Sequence, residues 1–301
     1  MPVEAETTPS RARAALPWLR EIAVIGVVYV VYGFVRNQFG SANVDYPHEP
    51  LHAFNNAVRI IGLEKHLGLF HEQSIQRFFL GTPWIKLFNI FYGTAHFIVT
   101  LGVLIWLFLR HRSRFGKWRT MLMVTTVLAL VGFALFPLMP PRLFNATPSA
   151  KHPYGGETLA TQHHQPEYHF VDTLRDVGGL WSFDSEKLDK VSNQYAAMPS
   201  LHIGWSTWCM IVLLRFGKRK RTKYLAVLYP LLTLTAIVAT ANHYILDAAG
   251  GLVIVGAGYL VARLAERLTT RSPAPGDLES ATVEPAQAAE PVVADDPRVT
   301  T

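Results

Sequence analysis

Ala197-Met198-Pro199-Ser200-Leu201-His202 marks the point where a polar connection becomes an apolar run, which continues to Leu214 and then meets a basic cluster from Arg215 to Lys223. Proline is favourable at a first helical position, because its missing N–H would be unpaired there. The stretch therefore predicts a helix starting near Pro199, with Ser200 and His202 in its first turn. The free N–H groups and positive dipole end of such a helix form a ready anion site. A plain capping serine and a solvated histidine would account for the same residues, so the surrounding pattern has to decide.

That pattern of polar connection, apolar run and basic cluster extends in both directions. Half of the 301 residues are hydrophobic and only 17% are charged. Mean hydropathy is positive, at +0.19. Several apolar runs approach the roughly 20 residues a helix needs to cross a bilayer. Six spans are predicted. The first starts at Trp18 and includes Ile22 to Val35; it lacks a small-residue cleavage site and so reads as retained. The others run from Pro83 to Leu109, Thr120 to Leu138, Pro199 to Leu214 and Tyr224 to Thr240, with the last following Ala241-Asn242 and ending near Arg263 and Arg267.

Between the first two spans, Phe54, Val58 and Ile61 recur at helical spacing beside Arg59, Glu64, Lys65 and Arg77. Those charges exclude a span and predict short amphipathic helices at the membrane surface. The polar connection 143–197 is long enough that short helical pieces are expected within it. Residues 1–17 and 271–301 hold too few large apolar residues to bury a core, and read as disordered cytoplasmic flanks of one membrane domain at 18–270. The expected fold class is all-α: a six-transmembrane-helix bundle with short amphipathic interfacial helices and a long outer loop.

The net charge of +6 lies in short clusters between apolar runs. This is the distribution of cytoplasmic loops and argues against nucleic acid as a partner. The single cysteine, Cys209, falls inside an apolar run, so no disulfide or cysteine metal site is expected. His163, His164 and His169 have no acid or cysteine at ligand spacing and read as a solvated loop, giving no metal site. Gly250, Gly251, Gly256 and Gly258 read as small residues that let helices approach closely.

The positive-inside rule places both termini and the loops 110–119 and 215–223 in the cytoplasm. The segments 37–83, 139–197 and 241–242 then face outward. Arg142, Ser200, His202, Asn242, His243 and Asp247 consequently fall at one outer interface. His243 and Asp247 lie one helical turn apart, on one face. A carboxylate there can fix the imidazole tautomer and leave the other ring nitrogen free to attack. Arg142 offers a permanently charged fork for phosphate oxygens, and His202 a second imidazole able to give a proton to a leaving oxygen. Phosphoryl transfer needs these parts, and ionisable groups near a membrane core default to function. Tyr92 and His96, four apart, could line a headgroup pocket, and Asn193 could position the loop above it.

Three stretches resemble the type 2 phosphatidic acid phosphatase (PAP2) superfamily, and within it the inositolphosphotransferase branch that contains the inositol phosphorylceramide synthases. They are Pro140-Pro141-Arg142-Leu143, Ala197-Met198-Pro199-Ser200-Leu201-His202 and Asn242-His243-Tyr244-Ile245-Leu246-Asp247, with softer matches at Phe170-Val171-Asp172-Thr173-Leu174 and at Tyr92 with His96. The resemblance implies a six-helix bundle in which His243 is the nucleophile of a phosphohistidine and Asp247 its orienting carboxylate. It further implies that His202 is the general acid, and that Arg142, Ser200 and Asn242 hold the phosphate, with no metal or cofactor. Three positions depart from the wider superfamily. Leu135 stands where a lysine is usual, Ile237 where an arginine is usual, and Leu201 where a small residue is usual. Arg175, Lys187, Lys190 and Arg59 are candidates to replace the missing cations.

The function expected is therefore a multi-pass plasma-membrane enzyme whose outward-facing site transfers a phosphoryl group of a lipid phosphate or phosphodiester. An inositolphosphotransferase-like reaction leads. A phosphatase acting on polyprenyl or diacylglycerol phosphate is the alternative, and a non-catalytic lipid or anion transporter is the rival of another class.

Overall fold

The computed structural model describes residues 50–149, 153–179 and 193–271, together with the helical positions Ala23, Gly26 and Val30. Apart from those three positions, the predicted first span lies outside the described residues, as do the flanks 1–17 and 272–301. The regular structure of the described chain is helical. No strand occurs among the described residues, and one isolated parallel bridge pairs Leu138 with Ala196.

The helices in chain order are α1 (Leu51–His66), α2 (Glu72–Phe79), α3 (Pro83–Arg110), α4 (Arg112–Leu135), α5 (Pro141–Phe144), α6 (Glu157–Gln162), α7 (Thr173–Asp176), α8 (Leu201–Phe216), α9 (Lys220–Ala239) and α10 (Ile245–Arg271). Among the described residues, α3, α4, α9 and α10 are long and apolar enough to cross a membrane; α8 is apolar but only 16 residues long. Six spans were expected, so the described structure carries four and a shorter apolar fifth helix. Contacts divide the chain after Arg263, and the unit from Leu264 contains only the end of α10 among the described residues.

Several boundaries differ from expectation for physical reasons. The basic loop 110–119 is almost entirely helix: α4 begins at Arg112, directly after His111. Arginine and lysine are good helix formers, and Phe115 and Trp118 between them are buried, so the charges ride on the helix. The helix expected from Pro199 starts at Leu201, with Ser200 as its N-cap. Pro83, by contrast, occupies the first helical position of α3 as its missing N–H favours. Within residues 50–83 the predicted short helices are α1 and α2, and the described parts of the long connection hold α5, α6 and α7.

Two clusters make up most of the core. One joins α3, α4, α8 and α10 around Trp118, Trp208 and Cys209, where the Trp208 indole N–H donates to the Trp118 carbonyl at 2.9 Å. The other gathers α1, α5, α6 and the loop around Tyr195 on Phe54, Leu138, Phe144 and Tyr244. In it the Phe54 and Phe144 rings stack with centroids 4.9 Å apart. Leucine, valine and phenylalanine side chains such as Phe97, Leu101, Val131, Leu231 and Val253 remain exposed along the long helices. Such stripes suit lipid, which leaves close packing rather than water exclusion to hold the helices together.

Candidate functional site

The site begins at the turn between α9 and α10. Ala241 adopts a left-handed conformation, with φ of 53°. Its N–H donates to the Val238 carbonyl at 2.9 Å and the Asn242 N–H to the Ile237 carbonyl at 3.0 Å. This is a Schellman ending with alanine at the position glycine usually fills. The left-handed alanine costs about 1–2 kcal/mol, which the recovered carbonyl bonds offset. The turn brings Asn242, His243 and Asp247, all nearly fully buried, to the head of α10.

His243 stands between two partners. Its Nδ1 lies 3.2 Å from Asp247 Oδ2, and its Nε2 lies 3.3 Å from His202 Nδ1. The same Asp247 oxygen accepts the Tyr244 N–H at 2.9 Å, which fixes the carboxylate in place. An aspartate receiving Nδ1–H leaves the lone pair on Nε2, the nitrogen that faces His202 Nδ1. His202 is clamped in turn: the Tyr92 ring stacks on it at 4.4 Å between centroids, and His96 meets it edge-on at 4.3 Å.

Arg142, on α5, is held at several points. Its backbone N–H donates to the Ala241 carbonyl at 2.9 Å. Its Nε donates to Asn242 Oδ1 at 2.9 Å, Nη1 to Asp172 Oδ2 at 2.7 Å, and Nη2 to Gln194 Oε1. Asn242 is fixed by its own amide, which donates to Thr240 Oγ1 at 2.8 Å. Asp172 caps the short α7, and the following Thr173 is pinned to α3 by Asn89, whose amide donates to the Thr173 and Gly178 carbonyls at 2.7 and 2.8 Å.

A pocket opens over this arrangement, and Tyr92, Arg142, Asn193, Asn242 and His243 all line it. His202 and Asp247 reach it through His243. Like those two, two further expected residues lie off its wall. His96 sits behind His202 instead of facing the pocket. Ser200 is fully buried: its N–H donates to the Asp247 carbonyl at 3.0 Å, and its hydroxyl has no partner among the described residues. The later start of α8 explains this, because the cap residue is turned toward α10.

Among the candidate replacement cations, Arg175 lines the pocket and Arg59 does not. Lys187 and Lys190 lie outside the described residues. Leu135, where a lysine was expected, is 74% exposed at the end of α4, and Ile237 is buried in the core. Sequence reasoning missed Gln194, Tyr154 and Gly155 on the pocket wall, and it saw Asp172 only as part of a softer match. Nearby, burial and the adjacent Asp247 push the Tyr244 phenol well above its usual value. Burial likewise raises that of Tyr195, whose hydroxyl donates to the Tyr154 carbonyl at 3.1 Å.

Long apolar helices carrying a buried imidazole pair, a carboxylate and a caged guanidinium define a membrane protein with a polar site at one end of its helices. Residues 58–261 match the PAP2 superfamily, and the chain belongs to it. Its members are phosphatases and phosphotransferases that act on lipid phosphates, so the chain is an enzyme of that broad kind. No curated protein and no solved structure matches the chain.

Proposed function

We propose that the protein transfers the phosphoryl group of a lipid through a phosphohistidine at His243. The observation that supports this most directly is the line Asp247–His243–His202, with ring nitrogens 3.2 and 3.3 Å from their partners, at a pocket walled by Arg142. In the first step the phosphate displaces the His202 contact, the His243 Nε2 lone pair attacks phosphorus, the bond from phosphorus to the leaving oxygen breaks, and His202, as imidazolium, gives that oxygen a proton and is left neutral. Asp247 holds the resulting positive ring, while Arg142 and Asn242 take the phosphoryl oxygens. In the second step a hydroxyl attacks phosphorus, its proton passes to His202, and the phosphorus–nitrogen bond breaks.

The acceptor in the leading reading is a lipid hydroxyl and the donor an inositol-type phosphodiester. The amide and carboxylate groups of Asn193, Gln194 and Asp172 around the pocket suit a headgroup rich in hydroxyls. Water as acceptor would make the same intermediate a phosphatase. The setting belongs to the same proposal: a membrane domain over 18–270 with six spans, both termini cytoplasmic, and the site open to the outer face of the plasma membrane.

The test is to trap the intermediate. Purified protein is mixed with phosphorus-labelled lipid phosphate and quenched in alkaline detergent. An acid-labile, alkali-stable label on wild type that is absent from His243→Ala supports the reading; an unlabelled wild type, or label surviving in the variant, defeats it. Donor phosphatidylinositol with a lipid alcohol in the same vesicles then separates the acceptors, a new phosphodiester lipid marking transfer and free phosphate marking hydrolysis.

A further inference from the structure

Two carboxyl groups that the reaction does not touch lie against the first turn of α10. Glu64 from α1 and Glu72 from α2 are both fully buried. Glu64 Oε1 accepts the Leu246 N–H at 2.7 Å, and Glu72 Oε1 accepts the Ile245 N–H at 2.9 Å. The preceding N–H, of Tyr244, goes to Asp247. Three consecutive N–H groups at the head of the helix that carries Asp247 are thus received by three carboxyl groups. A helix N-terminus favours negative charge. Three buried charges in one turn would nevertheless repel one another far more than two N–H bonds and a half-unit dipole offset. The second oxygens of Glu64 and Glu72 find no donor among the described residues. A proton held between the two carboxyls removes one charge and supplies the missing donor.

We propose that Glu64 and Glu72 form a proton-sharing pair that positions the first turn of α10, so that Asp247 holds His243 in its attacking orientation. The pair acts through the backbone and is a positioning device. The inference rests on the reading of His243 and Asp247 given above. Burial first, and the neighbouring Glu72 second, push the Glu64 carboxyl up to about 9, which makes it the proton carrier at neutral pH. The other titratable groups around the pair are Asp247, Tyr244 and Tyr168. Tyr168 accepts from Lys65 Nζ at 2.8 Å, so that cation is already engaged.

Glu64 keeps its proton in the folded protein up to about 9, whereas the unfolded chain releases it near 4.5. The folded state therefore binds more protons between those values, and stability falls as pH rises across that window. Glu64→Gln keeps an oxygen for the Leu246 N–H and gives Glu72 a permanent N–H donor. It should not carry this pH slope.

The experiment measures melting temperature from pH 5 to 9 and lipid phosphate turnover from pH 6 to 10 for purified wild type, Glu64→Gln and Glu64→Ala. The melting temperature of Glu64→Gln relative to wild type should climb with pH. Its kcat should stay within about threefold of wild type at pH 7 and persist at pH 10, where wild type declines. Glu64→Ala should lose more than about tenfold in kcat with KM little changed, because a transition-state geometry is lost. Parallel melting curves for wild type and Glu64→Gln, or equal loss of kcat in both variants, would overturn the proposal. If wild type turns over no lipid phosphate, the functional reading fails, and the melting curves still decide whether the pair shares its proton.

Discussion

Arg142 Nη1 donates to Asp172 Oδ2 at 2.7 Å, with the two side chains only 10% and 9% exposed. The guanidinium assigned to phosphate thus already holds a negative partner. A phosphate entering the pocket brings a second negative charge toward the same fork. Removing the aspartate charge while keeping its shape should favour the anion by about 1 kcal/mol or more. Asp172→Asn is therefore expected to lower the inhibition constant for inorganic phosphate by about fivefold, a factor that corresponds to that energy. A steady-state inhibition series measures it. An unchanged constant would mean that Asp172 does not compete for Arg142.

Asp247 is expected to act on kcat. Asparagine fits the same space, but its amide nitrogen cannot accept the Nδ1 proton of His243. One carboxylate oxygen, Oδ2, now takes both the ring Nδ1 and the Tyr244 N–H, at 3.2 and 2.9 Å, so an amide nitrogen at that place forfeits both bonds. With that nitrogen donating to Nδ1, the imidazole carries its proton on Nε2 and has no lone pair there to attack with. Asp247→Asn should reduce kcat by about 10³–10⁴ through the wrong imidazole tautomer, leaving KM near that of wild type. A fall in KM of similar size to the fall in kcat would contradict this.

The parts of the site legible in the sequence were those set by short, fixed spacing. His243 and Asp247 sit four apart on one helix, and Arg142 follows two prolines that end a span. The parts that were not legible are long-range. Glu72 and Glu64 meet α10 across 173 and 182 residues, and nothing local distinguishes them from surface charges of an amphipathic helix. Gln194 joins Arg142 across 52 residues for the same reason. Helix boundaries suffered from a different effect. The basic residues from Arg112 to Arg119 mark a cytoplasmic flank by charge, yet their side chains favour helix, so a loop by composition is a helix by propensity. The orientation of Ser200 depends on where α8 begins, and a shift of two residues turns it away from the pocket.

Asn89 offers a test of how the outer loop is anchored. Its buried side chain donates to the Thr173 and Gly178 carbonyls and accepts from the Thr173 hydroxyl at 2.9 Å. Leucine would fill the volume but strip the Thr173 hydroxyl and the Gly178 carbonyl of this partner, while the Thr173 carbonyl keeps the Val177 N–H at 3.0 Å. Asn89→Leu should cost about 2–4 kcal/mol and free the segment that carries Asp172. Faster limited proteolysis within residues 153–179 and a lowered melting temperature are the expected signatures. Wild-type proteolysis rates would show that the loop is held by other contacts.

Packing of α10 can be read glycine by glycine. A methyl group on Gly251 would stand 2.6 Å from the Ser200 carbonyl oxygen, and one on Gly258 would stand 2.9 Å from the Met121 carbonyl oxygen. Both obstacles are backbone, which cannot swing aside as a flexible side chain would. A methyl on Gly256 would meet nothing within 4 Å. Gly251→Ala and Gly258→Ala should each destabilise by about 1–3 kcal/mol, the cost of forcing atoms into a packed interior. Gly256→Ala should leave stability unchanged or raise it by up to about 1 kcal/mol, since alanine is the better helix former. The Gly251 variant should also lose activity, because Ser200 donates to the Asp247 carbonyl and pushing it away disturbs the turn that orients His243. Melting temperatures of the three proteins in one detergent provide the comparison. Equal behaviour at 251 and 256 would mean that close approach of α8 to α10 is not what these glycines permit.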